Sequence, residues 1–296
     1  MKGGLGNQLF QLATGISLSL MYETDLFLDT SFVDKSISHK TFTQRDSSLR
    51  IFQHKFNVLP AKYYSLYGIG YSISRVKRLI NWIKFKQHSL TYFHESEIQC
   101  YRPELLNDEV RFPVVLDGYF QTEKYFRHIR PIICEMLDIK LSDNEYIVEL
   151  KNSIDKSNSV SIHFRRGDYV NNDFVNKIHG TCSLDYYYKA CREIAEEVEN
   201  PCFFIFSDDI QWVKENFNTS FLTSFSYVEN IPNYYEELKL MSCCKYNIIA
   251  NSTFSWWGAW LNNNPDKIVI SPSKWFNSAL LQENTKDLIP DSWIRI

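Results

Sequence analysis

The chain has 296 residues, 44% hydrophobic and 16% aromatic, enough to bury a sizeable core in one large or two modest domains and too apolar for a disordered polymer. A net charge of -3 excludes the broad basic field that draws nucleic acid or an anionic bilayer, so any anionic ligand must meet a local pocket. Seven cysteines, at positions 100, 134, 182, 191, 202, 243 and 244, show no CxxC pair and no Cys/His spacing suited to zinc; they read as reduced thiols of a cytoplasmic protein.

The chain opens on MKGGLGNQLFQ, where three glycines precede a helix expected over residues 7–22. Its apolar stretch, residues 9–21, is too short for a bilayer and lacks a cleavage-site end, so neither a signal peptide nor a membrane anchor is expected. A strand DLFLD follows, then a Lys/Arg/Tyr-rich region at 62–87 without period. VVLDGYFQ (114–121) predicts a strand and residues 123–136 a helix. The polar stretch 141–159, helical at its start, predicts the junction of two domains, 1–150 and 151–296. From Val160 onward the buried-strand runs VSIHF, CFFIF, FSYV, YNIIA and KIVI alternate with helical segments at 184–198, 209–217, 233–243 and 254–261, with Asn233 and Ser252 as caps. That alternation predicts an α/β fold with a doubly wound parallel sheet in the second half.

Three strand ends carry residues suited to chemistry. HFRRGD leaves the first of these strands, and two adjacent arginines there must pair with carboxylates or meet an anion, because an unpaired buried guanidinium is costly. Arg165 and Arg166 therefore read either as diphosphate ligands or as a clamp on Asp168, and His163 as a core histidine or a catalyst. FSDD ends the next strand: Asp208 or Asp209 can accept from a guanine edge or a ribose hydroxyl, or cap the following helix. NSTFS begins a helix, where Ser252, Thr253, Phe254 and Ser255 offer hydroxyls and N–H groups to an anion or serve as caps, with the tryptophans behind them packing. In a parallel sheet these ends share one rim, the arrangement of a nucleotide-diphosphate pocket. The opening glycines fit neither the dinucleotide fingerprint nor the P-loop; they allow close backbone approach to a ligand, or an ordinary turn capped by Asn7.

In order along the chain, GGLGNQLFQ, HFRRGDYV, HGTCSLDYYYKA, FSDDIQW and NSTFSWWGAWL resemble the α-1,2-fucosyltransferases of glycosyltransferase family 11, which move L-fucose from GDP-fucose to a galactose 2-hydroxyl. The resemblance implies a GT-B-like fold of two Rossmann-like lobes, the C-terminal one holding GDP-fucose and the N-terminal one supplying acceptor contacts. It implies Arg165 as the essential diphosphate contact, Arg166 beside it, Asp208 or Asp209 on guanine, and Ser252, Thr253 and their neighbours on the phosphates. Gly4, Gly6, Asn7, Gln8 and His179 become acceptor-side candidates, with Asn7 facing the reacting sugar. Asp168, His179 and His163 remain open as the general base.

The same resemblance implies inverting, metal-independent transfer without a cofactor, Arg165 answering the charge on the departing diphosphate. The expected partners are GDP-fucose and a galactoside, free or lipid-linked, with the enzyme cytoplasmic or at the inner membrane face making cell-surface glycan. Rival expectations are a silent GDP-sugar or glycan-binding protein and a transferase of another GDP-sugar. Family members carry a short strand before the glycine turn. Here either the reading frame extends upstream or the first lobe lacks that strand.

Overall fold

The computed structural model describes residues 1–33, 48–60, 63, 91–95, 100–107, 110 and 112–296. The aperiodic Lys/Arg/Tyr-rich region 62–87 lies outside the described residues except for Tyr63. The chain forms two compact units, Met1–Leu137 with Asn284–Leu288 and Asp138–Glu283 with Ile289–Ile296.

In the first unit, α1 (Leu5–Met21) begins two residues before the expected start, so Asn7 lies in its first turn and does not cap it. The glycines explain the shift. Gly3 has φ +80, a conformation that L side chains rarely adopt, and a Cβ there would stand 2.5 Å from the Asn7 amide nitrogen. The turn lets the Gly4 carbonyl accept from Gln8 N at 3.0 Å, closing the first helical turn. No strand precedes α1 among the described residues, and Met1 N donates to the Asp29 carbonyl.

Strand β1 (Phe27–Leu28) pairs in parallel with β2 (Asn57–Val58), and β3 (Thr91–His94) with β4 (Val114–Asp117). The strand expected over 114–121 stops at Asp117. Gly118 packs against Glu95 there, and Phe120 turns to φ +52. The helix expected over 123–136 is broken as well: two 3-10 turns precede α2 (Arg130–Met136), in whose first turn Pro131 lies. Proline lacks an N–H and clashes with the carbonyl four residues back, so it tolerates a helix start and not an interior.

The second unit opens with α3 (Glu145–Lys156), capped by Asn144; position 150 falls inside it. Then come β5 (Asn158–Phe164), α4 (Gly167–Asn171), α5 (Asp173–His179), α6 (Leu184–Glu197), β6 (Pro201–Ser207), α7 (Ile210–Asn216) and β7 (Ser224–Tyr227). The chain continues through α8 (Tyr234–Cys243), β8 (Tyr246–Ile248), α9 (Thr253–Trp260), β9 (Val269–Ser271), α10 (Ala279–Glu283) and β10 (Ile294–Arg295). All six strands are parallel, in the order β10-β9-β8-β5-β6-β7, the expected α/β arrangement. Val160, Ile162, Phe203, Ile205, Ile248 and Ile270 fill the sheet with little or no exposure, as both-faced burial of a parallel sheet requires. Asn233 stands at the start of α8, but its side chain makes no cap; it donates to Glu236 instead.

Candidate active site

Strand order reverses at β5: β6 and β7 lie on one side of it, β8, β9 and β10 on the other. Ligands of open α/β sheets bind at the carboxyl ends beside such a reversal. Arg165 and Arg166 leave β5 there, Asp208 and Asp209 leave β6, and Asn251 and Ser252 follow β8.

The Arg165 guanidinium lies between two carboxylates, Nη2 at 2.5 Å from Asp168 Oδ1 and Nη1 at 2.7 Å from Asp208 Oδ2, with its carbon 5.3 Å from the centre of the Tyr169 ring. Burial by itself would lower the Arg165 pKa; Asp208 and Asp168 outweigh it and raise the value. Arg166 is held differently. Its backbone N donates to Asp208 Oδ1 at 2.8 Å, its Nε to Asp209 Oδ2 at 3.2 Å, and its guanidinium lies 3.3 Å from the centre of the Trp212 ring. Asp209 also caps α7 through Trp212 N. The clamp expected of Asp168 and the cap expected of Asp209 are thus both present, and Asp208 joins them by bridging the two arginines.

At the start of α9, Ser252 Oγ accepts from Phe254 N at 3.3 Å, and the Phe254 ring lies 5.8 Å from that of His163. Ser255 is buried, its hydroxyl directed at the Ala250 and Ser252 carbonyls, while Thr253 is half-buried in the first turn. Trp256, Trp257 and Trp260 are buried behind it as packing.

Asn251 is a junction of the site. Its side-chain amide donates at 3.1 Å to the carbonyls of His179, Gly180 and Trp275, its Oδ1 accepts from the Cys182 thiol, and its own carbonyl accepts from the Tyr169 hydroxyl. His179, at the end of α5, stacks on Tyr169 at 4.8 Å and leans on Phe276 at 5.1 Å. An aromatic column therefore stands under Arg165.

Burial, aided by Arg165, pushes the His163 pKa down to about 3, and His163 Nδ1 is buried without a hydrogen-bond partner among the described residues. Burial and Arg165 likewise take His179 down to about 4, against an upward pull from Asp168. Both imidazoles are neutral near pH 7 and weakly basic. Sequence reading missed Glu237, on α8, whose pKa burial and the neighbouring Asp208 raise to about 7. Two glutamates in a first helical turn read as ordinary partners of the helix dipole.

In the first unit, Asn7 Oδ1 accepts from the Gln121 amide at 2.8 Å. Gln8 is buried and donates to the Gly3 carbonyl at 2.9 Å, Gly4 occupies the cap position, and Gly6 is buried in the first turn. Among the described residues no group of His, Cys, Asp and Glu could hold a metal ion, and no helix is long and apolar enough to cross a membrane.

A solved structure of the α-1,6-fucosyltransferase NodZ, co-crystallised with GDP, shares the fold at TM-score 0.51 and 13% identity, covering 88% of this chain and 89% of that one. The fold is thus GT-B-like. An Escherichia coli protein named alpha-1,2-colitosyltransferase is 37% identical over all of this chain and 97% of its own length. The E. coli O-antigen biosynthesis glycosyltransferase WbnK is 34% identical over all of this chain and 99% of its own. Galactoside alpha-(1,2)-fucosyltransferase 2 of Mus musculus is 27% identical over 49% of this chain and 43% of its own length. The model described as Glycosyl transferase family 11 matches residues 1–296, and with relatives of this identity along the whole chain, the protein belongs to that family.

Proposed function

We propose that the protein transfers L-fucose from GDP-β-L-fucose to the 2-hydroxyl of a terminal galactose, with inversion and without a metal. The observation that carries the reading is the delivery of Arg165 to the carboxyl end of β5, at the strand-order reversal and beside the start of α9. As the glycosidic bond breaks, the departing diphosphate gathers negative charge, and a preorganised guanidinium with helix N–H groups answers it. Arg166, fixed on Trp212 and Asp209, positions the backbone from which Arg165 extends. The general base of this reading is one of Asp168, His163 and His179, each of which could take the proton of a sugar hydroxyl. Asn7 and the glycine turn are the acceptor-side residues of this reading.

The test is GDP release from GDP-fucose with a panel of β-1,3- and β-1,4-linked galactosides. Release should be undiminished by EDTA and fall about a hundred- to a thousandfold or more in Arg165→Ala, the usual cost of one preorganised donor. GDP binding without turnover would favour a silent binding protein, and a strict Mg²⁺ or Mn²⁺ requirement would refute the metal-free mechanism.

The relative named a colitosyltransferase favours a second reading, a donor carrying colitose in place of fucose. Competition between the two GDP-sugars decides between them. The relative named for O-antigen biosynthesis supports a cell-surface glycan as product. We propose in addition a lipid-linked acceptor met at the cytoplasmic face, a placement that cell fractionation tests.

A further inference from the structure

The first unit holds a second polar constellation, at the carboxyl ends of β3 and β4. Asp117 Oδ2 accepts from the Tyr92 hydroxyl at 2.6 Å and lies 3.2 Å from His94 Nδ1, while Oδ1 accepts from Lys2 Nζ at 2.9 Å. Lys2 precedes the glycine turn and is tied to α1 through Gln11, and its ammonium lies 5.1 Å from the centre of the Tyr119 ring. Burial tends to raise the Asp117 pKa, but the Tyr92 hydroxyl and Lys2 hold it down at about 2, so the carboxylate stays charged.

The Tyr92 and His94 rings are 6.5 Å apart and within 22° of parallel, and Tyr92 is 54% exposed. Exposed aromatic side chains usually sample several rotamers, and fixing them costs free energy that a loose ring does not spend. Here one carboxylate pins both rings outward. Rings held in place before a ligand arrives lose little entropy when it binds, which is the logic of a preorganised platform.

The charge at this platform narrows the ligand. Lys2 and Asp117 neutralise each other, and the other charges beside them, Glu95 and Arg102, are of opposite sign, so no net field among the described residues favours a phosphate or a polycation. What remains is two apolar ring faces beside a carboxylate with unused lone pairs and an ammonium with further N–H groups. That combination suits a neutral, hydroxyl-rich ring whose C–H face covers aromatic carbon while its hydroxyls reach charged partners.

We propose that Tyr92, His94, Asp117 and Lys2 form the sugar platform of the acceptor, taking the face of a terminal galactoside. The proposal rests on the transferase reading above and names its acceptor subsite. Saturation-transfer NMR with methyl β-D-galactopyranoside on the full chain tests it without requiring turnover. The expected result is transfer of saturation to the galactose C–H protons in the native chain, at least a fivefold loss in Tyr92→Ala and His94→Ala, and a smaller, partial loss in Tyr92→Phe, which keeps the ring but removes the hydroxyl that pins it to Asp117. GDP binding by each variant certifies that it has folded. In transfer assays, Tyr92→Ala should raise the acceptor KM about tenfold or more with a smaller change in kcat.

Unchanged saturation in both alanine variants, or none in the native chain, overturns the platform. A native chain that binds the galactoside yet releases no GDP from GDP-fucose overturns the transferase reading and leaves the platform standing. One that releases GDP with the same acceptor KM in both alanine variants does the reverse.

Discussion

Gly167→Ala isolates the charge cluster from the rest of the sheet. A Cβ at Gly167 would lie 2.5 Å from Asp208 Oδ2 and 3.1 Å from its Cγ, where ordinary contact begins at 3.4 Å. The carboxylate must retreat by about 0.9 Å, the difference between 3.4 and 2.5. The bond from Arg165 Nη1, now 2.7 Å, then stretches to roughly 3.6 Å, outside hydrogen-bond range. A lost charge-assisted bond costs about 1.5–3 kcal/mol. Alanine in place of glycine in α4 returns up to about 1 kcal/mol of helix propensity, so the net loss of stability is about 0.5–3 kcal/mol. Urea unfolding of native, Gly167→Ala, Asp208→Ala and the double variant measures it as a double-mutant cycle. In the Asp208→Ala background the same glycine substitution should be neutral or stabilising, because the atoms it strikes are gone. An equal loss in both backgrounds would refute the account, since the clash would then lie elsewhere.

Glu237 should make stability depend on pH. Its folded pKa of about 7 lies above the 4.5 of an unperturbed glutamate, so between these values the folded chain keeps a proton that the unfolded chain releases. Stability then falls as pH rises from about 4.5 to 7, and Glu237→Gln should flatten that slope in melting curves taken from pH 5 to 8; an unaltered slope counts against a raised Glu237 pKa. Asn251→Asp should destabilise more than Asn251→Ala, by about 2 kcal/mol or more, because the aspartate turns oxygens toward three carbonyls that the amide now serves. Denaturation midpoints in the opposite order would show that the amide does not donate to them.

Much of the second unit was legible because buried parallel strands are written locally, as apolar runs such as VSIHF and CFFIF between turn residues. The arginines and aspartates were legible for the same reason: each follows such a run, and strand ends converge. Relations across the chain were not. Nothing near Glu237 announces Asp208, and nothing in HGTC announces that Asn251 will hold its backbone. The start of α1 was misplaced because glycines usually argue against helix, whereas Gly3 and Gly4 here shape the turn from which one begins. Pro131 could have warned of the break before α2, since proline is tolerated only in a first turn.

Arg165 has resident counter-ions on both sides, and this alters what ligand binding means at the site. Any anion that reaches the guanidinium does so by exchange, displacing or sharing Asp168 and Asp208, and the free energy gained is the difference between two sets of ion pairs. A lone arginine would grip a diphosphate more tightly, but it would also retain the spent nucleotide. On the proposed transferase reading, carboxylates that retake the guanidinium favour departure of the nucleotide, an arrangement suited to repeated turnover more than to tight capture.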